Sequence, residues 1–275
     1  MQLSIEQTHW LLKVLQPEQT LGSLPGIDAL SEDVRAALVG LPTDVYTTER
    51  ARLVEGAKRA ARDLLSDSSV TPLLDRLPLK EGTQVVLFGD SHTSDPESWA
   101  TILSELLVCR GVSLTINAAP GDTTTHGLIR IGQVIAQQPD WVLFLLGTND
   151  ARTQGPNPTK TLVDATESAR NCSELQRRIT RETQARCLWL TPPAVNEERV
   201  ANHWGLSRFG VGFRNEDVAR IATSIRGLDA PTIDLFSLLG APPAAELLLD
   251  DGLHLSLAGQ KRVALEVIRG WSQLA

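Results

Sequence analysis

From residue 84 onward the chain alternates short, nearly continuous apolar runs with stretches of helical pattern, and this alternation constrains its fold more than any other feature. The runs are QVVLFGD, SLTINAAP, DWVLFLLGTND, CLWLTPP and PTIDLFSLLG. A strand buried on both faces needs an unbroken apolar run, whereas a half-exposed strand shows alternation. Between the runs, PESWATILSELLVCRG, THGLIRIGQVIAQQ, the polar stretch from Thr159 to Ala185 and NEDVARIATSIRGL have helical character. Five strands with intervening helices predict an α/β fold, with a parallel sheet covered on both faces.

Residues 1–80 read differently. They are helical throughout, with breaks at Pro17, Pro25-Gly26, Gly40-Leu41-Pro42 and Pro72 to Pro78. Trp10 lies in the first helix. In TTERARLVEGAKRAARDLL the residues Leu53, Ala57, Ala60, Ala61, Leu64 and Leu65 share one helical face. Such a stripe needs a partner. A lid or a self-association surface would supply one, and so would the flank of the following domain, which is the expectation here. The predicted organisation is a helical extension over 1–80 and an α/β domain over 81–275, joined by a short, proline-stiffened connection and packed as one unit. A homo-oligomer is compatible with this.

Composition excludes several functions. With 275 residues, 42% of them hydrophobic, the chain buries a full core and a small appendage. A net charge of −7, with the basic residues scattered, gives no footprint for nucleic acid or for an anionic membrane surface. The segment MQLSIEQTHWLLKVLQPEQ lacks a basic n-region and a cleavage site, and Lys13 interrupts its apolar part, so no stable membrane insertion and a cytoplasmic location are expected. Cys109, Cys172 and Cys187 are odd in number and without CxxC pairing, as ordinary thiols would be. GDTTTHG lacks the lysine of a phosphate-binding loop. No metal and no cofactor are expected, and the expected partner is a small molecule.

In parallel sheets of this kind, loops at the carboxyl ends of the strands build the site. Those loops read GDSHTSD, NAAPGDTT, GTND and TPPAVNEE, with DDGLHLS beyond the fifth strand. The first allows two answers: Ser91 as a nucleophile, or Asp90-x-His92 as a pair of metal ligands. The remaining loops suit acyl transfer. Ser91 would attack, His254 would act as general base, and Asp251, three residues earlier, would orient the imidazole and stabilise its charged form. The backbone N–H groups of Ser91 and Gly121 and the side-chain amide of Asn149 come from three loops that can surround one developing oxyanion.

These residues also resemble a family. GDSHT, the glycine of NAAPGDTT, GTND and DGLH are similar, in order and approximate spacing, to the four blocks of the SGNH or GDSL-type hydrolases, over residues 84–275. One block alone carries little weight; four in order, each at a predicted strand end, carry much more. The resemblance implies serine esterase or lipase activity on a flavodoxin-like three-layer sandwich. It also implies Ser91 as nucleophile, Gly121 and Asn149 as oxyanion donors, and Asp251 with His254 completing the triad. The sequence departs from the pattern at His92, which replaces an aliphatic residue, and in the long extension before the nucleophile.

The rival is a two-metal phosphoesterase. It lacks the histidine that should follow Asn149, where Asp150 stands, and with five histidines it would be short of nitrogen ligands. A catalytically inactive binding module is the other alternative, opposed by the presence of every expected catalytic residue. Asp90 is expected either to fix the turn that exposes Ser91 or to take part in catalysis, Asp150 to bond within its loop, and His126 and His203 to be loop or surface residues; Asp250 competes with Asp251 as the acid, the spacing to His254 favouring Asp251. His92 would contact substrate or hold the turn through Asp95, the latter being preferred. The long connection PPAVNEERVANHWGLSRFGVGFRNED should overlie the site, with Trp204, Phe209 and Phe213 either lining it for an acyl chain or anchoring the loop.

Overall fold

The computed structural model describes residues 3–21 and 29–274; the expected break at Pro25-Gly26 lies outside the described residues. Ahead of the sheet come α1 (Ile5–Val14), α2 (Pro17–Thr20), α3 (Glu32–Leu38), α4 (Thr43–Ser66) and α5 (Thr71–Asp75). Ser4 starts α1 with a reciprocal capping box through Gln7. The connection expected to be merely stiff contains α5, which opens with Pro72 in its first turn, where a missing N–H costs nothing.

Then follow β1 (Gln84–Gly89), α6 (Ser91–Ser94), α7 (Trp99–Leu107), β2 (Ser113–Ala118), α8 (Thr124–Ala136), β3 (Trp141–Leu145), β4 (Thr153–Gln154), α9 (Ala165–Glu182) and β5 (Arg186–Leu190). The chain continues through α10 (Glu197–Asn202), α11 (Trp204–Ser207), β6 (Val211–Gly212), α12 (Asn215–Arg226), β7 (Thr232–Ile233), α13 (Leu235–Leu239) and α14 (Leu257–Trp271). Strands β1, β2, β3, β5 and β7 form one parallel sheet in the order β2-β1-β3-β5-β7. This is the flavodoxin-like order, in which the chain reverses direction across the sheet between β1 and β3 and leaves a crevice at their carboxyl ends.

Two details differ from expectation. The fifth run, PTIDLFSLLG, is a strand for two residues only, because Asp234 accepts hydrogen bonds from Ser237 N and Ser237 Oγ and starts α13. The long connection after β5 is not a bare loop: it holds α10, α11 and β6, and β6 pairs antiparallel with β4 beyond the third strand.

Each strand side chain falls by alternation on one of two cores. Val85, Leu87, Leu143, Leu145, Leu188 and Leu190 face α7 and α14, while Val86, Phe88, Val142, Phe144 and Trp189 face α8, α9 and α12. Phe144 stacks on Trp189 with centroids 4.2 Å apart. The stripe of α4 completes the first core: Ala57, Ala60, Ala61 and Leu64 are buried there together with Val70, Leu74 and Leu77. Leu53 instead joins Leu12, Ala36 and Tyr46 in a small separate cluster, and Leu65 is exposed. The helical region ahead of the sheet therefore supplies part of the wall of the main core. Among the described residues no helix is long and apolar enough to cross a membrane.

Candidate active site

The site begins where β1 stops being apolar. Asp90 leaves the strand with an extended backbone, and its Oδ1 accepts a hydrogen bond from His92 N (3.0 Å), which folds Ser91–Ser94 into a single helical turn. That turn presents Ser91 at the crevice between β1 and β3. From the far end of the chain, Asp251 Oδ1 accepts from the backbone N–H groups of Leu253 and His254 (2.9 Å each), a tight Asx-type turn that carries the histidine back beneath its own acid. His254 Nδ1 lies 2.6 Å from Asp251 Oδ2, and His254 Nε2 lies 3.1 Å from Ser91 Oγ. Asp251 and not Asp250, which is exposed on the same loop, meets the imidazole.

The electrostatics follow from burial and pairing. Burial disfavours the Asp251 carboxylate, but the charge of His254 and the hydrogen bonds it accepts outweigh this and hold its pKa well below the usual carboxylate range. Burial likewise works against a charged His254, and is outweighed by Asp251, so the imidazole pKa is raised above its ordinary 6.5. Asp90 has no such partner: burial pushes its carboxyl up to about 7, against the His92 N–H bond.

The oxyanion candidates lie on the neighbouring loops. Gly121, at φ +82° in the loop after β2, and Asn149, after β3, line the same cavity as Ser91 and His254. Asn149 donates one amide N–H to Asp122 O (3.0 Å), which fixes the amide plane and leaves its second N–H. Asp150 is buried and reaches further than its own loop: it accepts hydrogen bonds from Thr124 N (2.9 Å), Thr124 Oγ1 and Ser168 Oγ (2.7 Å), tying the turn after β3 to α8 and α9. His126 caps α8 with Thr123, and His203 caps α11.

The cavity measures about 520 Å³ and is mainly apolar. Trp204 and Phe209 line it, Phe209 being 64% exposed. Phe213 does not: it is buried with Val195, Val200, Leu206 and Val211 and anchors the long connection. His92 departs from both of its expected roles. It is 1% exposed and is not part of the cavity wall. Its ring nitrogens have no hydrogen-bond partner among the described residues, and burial pushes its pKa down to about 3. Asp95, its expected partner, is taken instead by Glu97 N, Lys13 Nζ and Gln260 Nε2. The turn is held by Asp90 and by its own backbone. Among the described residues, no group of three or more His, Cys, Asp and Glu side chains is arranged to hold a metal ion.

Three contributors carry no motif. Trp10 of α1 donates Nε1–H to Asp251 Oδ2 (2.6 Å) and, with Leu11 and Val14, forms one wall of the cavity. Lys13, 1% exposed, pairs with Asp95 Oδ2 and Glu97 Oε2, 2.8 Å from each. Arg130 of α8 joins Asp122, Asn117 Oδ1 and Gly89 O, binding the ends of β1 and β2 to the Gly121 loop. Lys13 did leave a signal: in WLLKVL the lysine sits among apolar residues on the buried face, where a charge needs a partner.

Comparison with known proteins agrees with this architecture. Residues 87–262 match the model of the GDSL-like Lipase/Acylhydrolase family. The GDSL esterase/lipase CPRD49 of Arabidopsis thaliana is 26% identical over 200 residues, which is 68% of this chain and 77% of that protein. The lipase/acylhydrolase from Enterococcus faecalis superposes with a TM-score of 0.54 at 25% identity, covering 70% of this chain and 96% of the other. An acetylxylan esterase from Geobacillus stearothermophilus shares the fold at 16% identity, with a TM-score of 0.54 over 70% of this chain and 95% of its own. The match to the family model extends over more than half of the chain, which belongs to the GDSL-like lipase/acylhydrolase family and is an esterase of that type.

Proposed function

We propose that the chain hydrolyses carboxylic esters through an acyl-enzyme on Ser91. The observation that carries this reading is the continuous chain from Ser91 Oγ through His254 to Asp251, at 3.1 and 2.6 Å. With Nδ1–H donated to Asp251, neutral His254 presents its Nε2 lone pair to the serine hydroxyl. As Ser91 Oγ attacks the carbonyl carbon, the hydroxyl proton passes to Nε2. The carbonyl oxygen becomes an oxyanion facing Ser91 N–H, Gly121 N–H and the second Asn149 amide N–H. Collapse of the tetrahedral intermediate breaks the bond to the leaving alcohol or thiol, which takes the proton from His254. Water then attacks the acyl-enzyme by the same route, with His254 again accepting the proton, and releases the acid. Asp251 stays ionised throughout and steadies the imidazolium.

The apolar wall of Trp10, Leu11, Val14, Trp204 and Phe209 suits an acyl group of a short ester or thioester. A metal-dependent route through Asp90 and His92 finds no such support, because Asp90 Oδ1 is engaged by His92 N–H and the His92 ring is buried outside the cavity. An inactive binding module would have no need of the aligned hydroxyl and imidazole. The test uses a short-chain aryl ester. Activity should survive EDTA and disappear with a serine-directed phosphonate whose adduct maps to Ser91; loss on chelation with rescue by a divalent metal would overturn the serine mechanism.

A further inference from the structure

The hydrogen bond from α1 to the acid of the site has consequences for how that acid is held. Asp251 Oδ2 receives two donors, His254 Nδ1–H and Trp10 Nε1–H, each at 2.6 Å, while Oδ1 receives two backbone N–H groups. Four donors in fixed directions leave the carboxylate no free rotation, and Trp10 is the only one of the four that comes from outside the Asp251–His254 turn. The indole is itself fixed. His203 and Trp204 pack against it with centroids 4.9 and 5.2 Å away, and it lies so close to Gly205 that a Cβ there would fall 2.7 Å from the ring. One turn further along the same helix, the buried Lys13 ammonium joins Asp95, the residue that ends the nucleophile turn, and Glu97. Burial alone would drive Lys13 towards neutrality; its two carboxylates outweigh this and keep it charged.

Resting on the serine mechanism above, we propose that Trp10 is a positioning residue for this esterase. It holds Asp251 Oδ2 in line with His254 Nδ1, and α1, pinned by Lys13 to the nucleophile turn, is the device that keeps it there. Trp10 does not touch the reacting atoms as a base or nucleophile; it acts through the carboxylate. The other charged or titratable groups that bear on His254 are Asp90 and Asp95 from the nucleophile turn, His92 beside it, and His203 on the side of α11, which itself faces Asp250. Lys13 offsets Asp95.

Trp10→Phe removes the indole N–H and keeps an aromatic ring, while withdrawing the outer edge of the indole that lies against Gly205. The probe is a small acetyl aryl ester, whose acyl group covers the least of the apolar wall to which Trp10 contributes. The expected result is a fall in kcat of about 10-fold, the scale of one hydrogen bond to a charged group, with KM changed less than about twofold. The acidic limb of kcat/KM should move to lower pH, because an Asp251 no longer held in line with Nδ1 raises the His254 pKa less. Tm is recorded on the same samples, so that simple loss of packing is recognised. An acidic limb that stays at its wild-type position, whatever happens to Tm, overturns the inference. Ser91→Ala run alongside separates the two failures: if it stays active, the serine mechanism fails and the inference with it. If it is inactive and the limb of Trp10→Phe has not moved, the inference alone fails.

Discussion

Two regions of the molecule build the site by different means. At the sheet edge, β1, β2 and β3 end in short turns whose backbone geometry places Ser91, Gly121 and Asn149, and each turn carries hydrogen bonds to partners within a few residues or on the adjoining loop. The helix α1 contributes through side chains alone. Its Trp10 and Lys13 reach Asp251 and Asp95 across sequence separations that no local pattern can encode. The sheet edge is rigid because buried strands run into it. The place of α1 depends on one buried ion-pair cluster, one indole slot and the small apolar cluster around Leu12. The difference teaches that chemical identity resides in the turns, whereas alignment is shared with a distant helix.

Substitutions can break this comparison. The largest effects should fall at the sheet edge and the His254 loop: Ser91→Ala and His254→Ala should each lower kcat by about 10³-fold or more, and Asn149→Ala by about 10²–10³ if its amide serves the oxyanion. Steady-state kinetics on one ester decides this, and a loss at Asn149 as small as that expected for Trp10→Phe would erase the contrast between turn and helix. Next comes stability rather than chemistry. Lys13→Met should cost about 3–5 kcal/mol, because it strands Asp95 and Glu97 in the interior without their cation. Denaturant unfolding measures it; a cost below about 1 kcal/mol would mean that α1 is held mainly by its apolar face.

The smallest effect on turnover should come at His92. His92→Leu should keep kcat within a few-fold of the parent, since the ring lies outside the cavity. Its signature is in acid. The folded-state pKa of His92 is lowered to about 3. As pH falls below 6.5 the unfolded chain therefore takes up a proton that the native protein refuses, and stability falls progressively until about pH 3. Leucine removes this proton uptake, so the stability of the variant relative to the parent should rise as pH drops through that window, as urea unfolding at several pH values would show.

The sheet and the candidate site were largely legible in the sequence because their determinants are local. Continuous apolar runs mark β1, β3 and β5, and the Asp251–His254 pair lies within one turn of chain. What was not legible depends on placement. His92 reads as a ligand or a rim residue beside Ser91, yet the turn rolls it into the interior. Phe213 reads like Trp204 and Phe209, but it points into the core beneath the long connection. The stripe of α4 was visible, while its choice of partner, the face shared with α7 and α14, was open until the fold was known. Trp10 gives no sign of its role, because an indole on an amphipathic helix looks the same whether its N–H meets water or a buried carboxylate.

The Trp10–Asp251 hydrogen bond joins residues 241 positions apart. During synthesis α1 emerges before every strand of the sheet and the acid loop after all of them. Bringing such distant segments together carries the loop-closure entropy of the intervening chain until that chain has itself become compact. Alignment of the acid is thus a late event in assembly, one that follows sheet formation. In a refolding experiment, recovered esterase turnover would then report completion of the whole structure, lagging behind signals that see only helices and strands.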